Sequence, residues 1–232
     1  MLSEEVSEML RTSGDQDVEA LRVLLVDDHD LFRAGLRNLL EEQGVVIVGE
    51  AGQGADAVRI VRELAPDVVV MDLNMPSMGG VEATRHISAV APLTRVLMLT
   101  ISDDDGDVMD AILAGACGYL LKDSSIQELM TGIRAAARGE SLISPHIAAK
   151  VLQRVRATGT QPEIAATIRS ELSDREIQVL KLIANGKDNA LIAAELHISP
   201  KTVKNHISNI LMKLQIDNRI QAAVYAVRSG IV

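Results

Sequence analysis

From Arg22 onward, short runs of β-branched and aliphatic residues alternate with longer stretches in which apolar positions recur at helical spacing. The short runs, Arg22–Val26, 45–50, Val68–Met71, Arg95–Thr100 and Gly118–Leu121, predict five strands. They are almost wholly apolar, as strands are when both faces of a parallel sheet are covered. Residues 31–42, 55–64, 81–90 and 107–114 fall between them as helices, with apolar residues at helical spacing, for example Leu31, Leu36, Leu39 and Leu40 in the first. A further helix, 126–138, follows the fifth strand. The alternation predicts an α/β domain built on a doubly wound five-stranded parallel sheet, with its ligand crevice beyond the carboxyl ends of the strands.

Past Gly139 the pattern loosens. Ser144-Pro145 can start a helix to about Val155, and 157–170, with Thr158-Gly159-Thr160 and Pro162, reads as a linker. From Leu172 only helical spacing remains, and it predicts helices at Asp174–Ala184, Asn189–Leu196, Pro200–Leu214 and Arg219–Arg228. Ser173 with Glu176 has the form of a capping box, and Ser199 before Pro200 is an N-cap followed by proline at the first helical position. The expected organisation is an acidic tail without fixed structure (1–20), the α/β domain (21–139), a linker with one helix (140–171) and a smaller all-α domain (172–232).

Composition narrows the partners. Aromatic residues are 1% of the chain, so the core must be aliphatic. No apolar run approaches the roughly 18 residues of a membrane span, and the acidic start lacks the form of a signal peptide. One cysteine, Cys117, excludes an intrachain disulfide; cytoplasmic residence is expected, with Cys117 a packing residue. The net charge of −9 is unevenly spread: residues 172–232 hold 8 Lys/Arg against 5 Asp/Glu, whereas the preceding residues hold 15 against 27. The carboxy-terminal unit is therefore the one suited to meet a polyanion such as DNA.

Candidate chemistry gathers where the strands end. Asp27 and Asp28 follow the first strand, Asp72 the third and Lys122 the fifth, and Thr100 closes the fourth. Taken singly, each has a plainer reading: a helix cap for Asp27-Asp28, turn chemistry for Asp72 ahead of Pro76, a solvated cation for Lys122. In a parallel sheet these ends share one edge, so the residues converge. Converging carboxylates call for a hard cation such as Mg²⁺; a carboxylate can accept a phosphoryl group, and lysine and threonine can hold its oxygens. His29 reads as a hydrogen-bonded loop residue, and Asp103-Asp104-Asp105 as helix-start charge.

The motifs LLVDDHD, VVVMDLNMPSMGG, LMLTIS and GYLLKD make residues 22–139 similar to a response-regulator receiver domain, of the CheY-like fold. The resemblance implies that Asp72 is phosphorylated by a sensor histidine kinase. It implies that Asp27, Asp28, Asp72 and the backbone carbonyl of Asn74 surround Mg²⁺, with Asp28 favoured over Asp27 for direct contact. Thr100 and Lys122 would bind the phosphoryl group, and Tyr119 corresponds to the family's switch aromatic. One departure is Ile101, where many receivers place a small residue; it stands to crowd the phosphate and slow its entry or loss.

In Pro200–Leu214, Val203, Ile207, Ile210, Leu211 and Leu214 gather on one side of the helix; Lys201, Asn205, Ser208 and Met212 lie opposite, flanked by Lys204 and Asn209. With Asn189–Leu196 and a tight turn before it, this is a helix-turn-helix whose second helix suits the major groove; a plain helical bundle remains the alternative. LSDREIQVLKLIANG and ISPKTVKNHISNILMKL resemble the LuxR-type domain of NarL/FixJ regulators. That resemblance implies that Lys204, Asn205 and Ser208 face bases, that Lys201, Thr202 and Asn209 sit nearer the DNA backbone, and that the last helix dimerises through Ala222, Ala223, Val224 and Ala226. Asn189-Ala190-Leu191-Ile192-Ala193 departs from the family's Asn-Lys-Glu-Ile-Ala, so no contact is carried over to that helix. The expected protein is a regulator that binds promoter DNA as a homodimer once phosphorylated. The rival readings are a Mg²⁺-dependent phosphatase and a DNA binder with a degenerate receiver; the first is disfavoured by adjacent early acids, the second by the intact Asp72, Thr100 and Lys122 set.

Overall fold

The computed structural model describes residues 20–102, 104–143, 147, 151, 153, 155 and 162–232. The amino-terminal segment read as a tail lies outside the described residues up to position 19, as does Asp103. The elements run β1 (Arg22–Val26), α1 (Asp30–Glu42), β2 (Val46–Ala51), α2 (Gly54–Leu64), β3 (Val68–Met71), α3 (Gly80–Val90), β4 (Arg95–Thr100), α4 (Asp105–Leu113), β5 (Gly118–Leu121) and α5 (Ile126–Ala137). All strand pairs are parallel, and β1 lies between β2 and β3. Alternate residues of each strand feed opposite layers, as the two-residue period of a strand requires. Leu24, Val26, Val69, Met71, Val96 and Met98 pack against α2, α3 and α4; Val23, Leu25, Val68, Val70, Leu97 and Leu99 pack against α1 and α5.

The sheet has six strands, not the expected five, in the order β2-β1-β3-β4-β5-β6. The added strand, β6 (Leu142–Ile143), pairs with β5 through Gly118↔Leu142 and Tyr119↔Ile143. Two residues are too few to show a period in the sequence. Gly118 permits the pairing, because a Cβ there would lie 2.7 Å from the Leu142 carbonyl oxygen.

The carboxy-terminal domain comprises α6 (Pro162–Glu171), α7 (Asp174–Ala184), α8 (Asn189–Leu196), α9 (Pro200–Leu214) and α10 (Arg219–Arg228). Helix α6 occupies part of the stretch expected as linker. Ile164 and Ile168, four apart, turn toward the helical core, and Ile168 is fully buried. The helix expected from 145 is described only at 147, 151, 153 and 155; Ile147, Val151 and Val155 share one spacing and are buried in the core of the α/β domain. Between α8 and α9 the chain reverses at His197, whose φ of +53° places it in the left-handed region. Ser199 Oγ then accepts from Thr202 N at 3.0 Å, and both the capping box at Ser173 and the N-cap at Ser199 form as expected.

The two domains touch. Asn218 Nδ2 donates to the Ala116 carbonyl at 3.0 Å and Gln221 Nε2 to the Ile112 carbonyl at 2.8 Å, all buried. Ile220 and Val224 of α10 join the apolar cluster that holds Val108, Met109 and Ile112 of α4. Among the described residues no helix is long and apolar enough to cross a membrane.

Candidate functional site

Each acidic group of the crevice is carried by a strand end, and the parallel register brings them level: Val26 pairs with Met71, so Asp27 and Asp72 leave the sheet side by side. Both are nearly inaccessible, at 4% exposure. Their backbones are tied down, Asp27 N to the Ala51 carbonyl at 3.0 Å and Asp72 N to the Val26 carbonyl at 2.8 Å. Lys122 arrives from the end of β5, its own N donating to the Thr100 carbonyl at 2.9 Å. Its ammonium stands 2.6 Å from Asp27 Oδ2 and 2.9 Å from Asp72 Oδ2, and 4.7 Å above the centre of the Phe32 ring. Burial works against the Lys122 charge, but the bonds to Asp27 and Asp72 outweigh it and hold the ammonium above the ordinary lysine range.

Asp27, Asp28, His29 and Asp72 offer ligand atoms within 4.8 Å of one another. Asp28 Oδ1 is buried with no hydrogen-bond partner; its nearest positive group is His29 Nδ1 at 3.0 Å, which counts only when the ring is protonated. A buried carboxylate oxygen without a partner is costly, and a cation removes that cost. The donor set therefore fits a hard divalent ion. His29, read from sequence as a loop residue, belongs to the same cluster; nothing in its spacing told it from an ordinary helix-start residue. Asn74 is exposed in the β3–α3 loop.

Thr100 is fully buried, and its Oγ1 accepts from Ser102 N at 3.3 Å. Tyr119 is buried too, and its hydroxyl donates to the Ser102 carbonyl at 2.8 Å. Thr100 and Tyr119 thus hold the same short segment. Ile101 between them is 79% exposed. Cys117 is buried with its thiol pushed up to about 12 by that burial, which removes it from thiolate chemistry.

On α9, Val203, Ile207, Ile210 and Leu214 are buried, whereas Lys201, Lys204, Asn205, Ser208 and Asn209 are exposed and Thr202 is half-buried. The face read as a DNA surface is therefore open to solvent. Ser208 Oγ donates to the Lys204 carbonyl at 3.1 Å, which leaves its oxygen able to accept. The surface assigned to dimerisation on α10 is not open in this structure. Ala222 and Ala226 lie inside the helical core and Val224 lies against the receiver, because a ten-residue helix wedged between two cores buries most of its circumference. The interdomain residues Asn218 and Gln221 escaped the sequence reading; Asn218 carried only the signal of an N-cap.

Comparison with known proteins accords with this arrangement. The model for the response regulator receiver domain matches residues 23–134, and that for bacterial regulatory proteins of the luxR family matches residues 170–226. The transcriptional regulatory protein LiaR of Bacillus subtilis (strain 168) is 46% identical over 213 residues, 91% of this chain and 99% of LiaR. The response regulator protein VraR of Staphylococcus aureus is 39% identical over the same shares of each chain. Among solved structures, the response regulator ChrA of a heme-sensing two-component system is 36% identical with a TM-score of 0.51, covering 93% of this chain and 100% of that one. The chain belongs to the response regulators that join a receiver domain to a LuxR-type DNA-binding domain, and its relatives are transcriptional regulators.

Proposed function

We propose that Asp72 is the phosphoacceptor of this response regulator, that a sensor histidine kinase is its donor, and that the phosphorylated chain binds promoter DNA as a dimer through α9. The observation that carries this reading is the Lys122 ammonium held between Asp27 and Asp72, at 2.6 and 2.9 Å. An acceptor oxygen of Asp72 forms the new O–P bond as the N–P bond of the donor's phosphohistidine breaks, the electron pair leaving with the histidine nitrogen. Bound Mg²⁺, taken up by Asp27, Asp28, Asp72 and the Asn74 carbonyl, would neutralise charge on the transferring group. Lys122 and the Thr100 hydroxyl hold phosphoryl oxygens. The product is the modified chain itself, a signal and not a released metabolite, so the protein is a regulator and not an enzyme in the turnover sense. The buried reduced thiol of Cys117 suits a cytoplasmic site of action.

Control falls on α10 in this reading. A Thr100 side chain drawn toward phosphate disturbs Ser102, to which Tyr119 is bonded, and Tyr119 lies in the apolar cluster that also contains Met109, Ile112, Ile220 and Val224. Loosening that cluster releases α10 for pairing with a second copy, and two half-sites then combine their contacts. Lys204, Asn205 and Ser208 face bases and Lys201, Thr202 and Asn209 the DNA backbone. Gel-shift titration of an operator selected by the chain itself, with and without acetyl phosphate, tests the scheme. The wild type gains affinity on phosphorylation and Asp72→Ala does not; an equal gain in Asp72→Ala ends it.

A further inference from the structure

The loop between β1 and α1 carries Asp27 and Asp28, and within it His29 N donates to Asp27 Oδ1 at 2.9 Å. His29, at the N-cap of α1, makes no side-chain capping bond. A side chain from the next turn braces the loop backbone from the other side. Arg33 donates from Nη1 to the Asp27 carbonyl, from Nη2 to Asp30 Oδ1 at 2.7 Å and from Nε to Glu50 Oε2 at 3.0 Å. The three bonds run to the loop backbone, the first turn of α1 and the end of β2. The Arg33 side chain is only 15% exposed and, with Asp27 and Asp72, lines the small cavity beneath the acidic cluster. Glu50 is itself held from the other side by Arg37 Nη1 at 2.8 Å.

The carbonyl of Asp27 belongs to the peptide plane that joins Asp27 to Asp28. Fixing that oxygen fixes the direction in which the Asp28 side chain leaves the backbone, and Asp28 Oδ1 is the buried oxygen without a hydrogen-bond partner. Carboxylates packed together repel, and a loop free to turn would carry Asp28 out to water. We infer that Arg33 is a positioning residue for cation binding at Asp27, Asp28 and Asp72, acting through the Asp27 carbonyl and braced by Glu50. The role needs a planar fork of donors; a lysine keeps the charge but cannot span three acceptors in fixed directions.

The inference rests on the Mg²⁺ reading above, and calorimetric titration of Mg²⁺ into the unphosphorylated full chain separates the two. Removing an outer partner of a metal ligand costs on the order of 10-fold in affinity or more. Arg33→Lys is expected to weaken Mg²⁺ binding by about that factor, and Arg33→Gln by at least as much. With acetyl phosphate, labelling of Arg33→Lys should recover when Mg²⁺ is raised to saturation, a shift in half-saturation and not in the final rate. Arg59→Ala removes an exposed arginine of α2 whose partners are Asp56 and Glu63 and serves as the control; it should bind Mg²⁺ like the wild type. Circular dichroism and the unfolding temperature without Mg²⁺ verify that each variant is folded. Wild-type affinity in folded Arg33→Lys and Arg33→Gln overturns the inference, as does an equal loss in Arg59→Ala. An absence of Mg²⁺ binding in the wild type overturns the underlying metal reading instead, and the inference with it.

Discussion

At the scale of single residues, the site depends on positions whose chemistry is plain and on one whose size alone matters. Gly80 opens α3 directly under the proposed phosphoacceptor: a Cβ there would lie 2.1 Å from the Asp72 carbonyl oxygen. That oxygen is backbone and cannot swing aside. Gly80→Ala should destabilise the receiver by about 1–3 kcal/mol and slow labelling of Asp72, read by thermal unfolding and by acetyl-phosphate incorporation; unchanged stability and labelling would show that the strand end yields. Ile101 is the opposite case, a large apolar side chain left in water beside a buried Thr100. Ile101→Ala should move stability by no more than about 0.5 kcal/mol and shorten the phosphoryl lifetime several-fold. A lifetime equal to the wild type's removes any role for Ile101 at the crevice mouth. Asp27, Asp72 and Lys122 were legible in the sequence because strand ends of a parallel sheet share an edge. The need for glycine at position 80 was not, since it arises from a carbonyl eight residues earlier.

At the scale of elements, local capping chemistry explains where α5 and α7 to α10 start, and at Ser173 it was readable at a spacing of three residues. Ser173 and Glu176 close the capping box of α7, and Lys213 from α9 adds a bond to Glu176 Oε2 at 2.8 Å. Burial by itself raises the Glu176 carboxyl; Lys213 and the Ser173 amide and hydroxyl outweigh it and hold the group below its ordinary 4.5. The fold therefore favours the ionised form. That stabilisation is complete above the unfolded value and disappears as pH falls through the lowered folded one. Unfolding of the helical domain followed from pH 6 to about pH 3 should show a loss in that window. Glu176→Gln should flatten it, and an unaltered pH profile in that variant would assign the loss to other carboxyls. Ser173→Ala should cost about 1 kcal/mol at neutral pH. The stretch 157–170 was less legible. Its Thr-Gly-Thr and Pro162 signal a break, but the two isoleucines that turn α6 into the helical core are too few to outweigh that signal without the core in view.

At the scale of the whole molecule, the open α9 face and the covered α10 face put the proposed control of dimerisation on α10. Gln221 both accepts from Asp217 N at 2.8 Å and donates to the Ile112 carbonyl. Gln221→Glu keeps the first bond and sets a carboxylate oxygen against the carbonyl in place of the second. An unmatched buried group costs roughly 1–3 kcal/mol, enough to shift an equilibrium about tenfold. The variant should dimerise and bind operator more tightly without phosphate, also when combined with Asp72→Ala. Sedimentation and gel shift read the result, and wild-type behaviour in both would remove α10 from the control of dimerisation.

What the sequence determined by itself was whatever a local period or a short spacing encodes. The apolar runs set the strands of β1 to β5, the helical repeats set α1 to α5 and α7 to α10, and their alternation dictated a parallel sheet and hence a crevice at Asp27, Asp72, Thr100 and Lys122. Tertiary structure decided which partner each group takes. Lys122 chooses two carboxylates distant in sequence, Arg33 reaches back to a carbonyl and across to Glu50, and α10 divides its faces between two cores. A polar side chain meets many chemically equivalent acceptors along a chain. Only the packed backbone brings a few of them within about 3 Å, and no pattern along the sequence carries that distance.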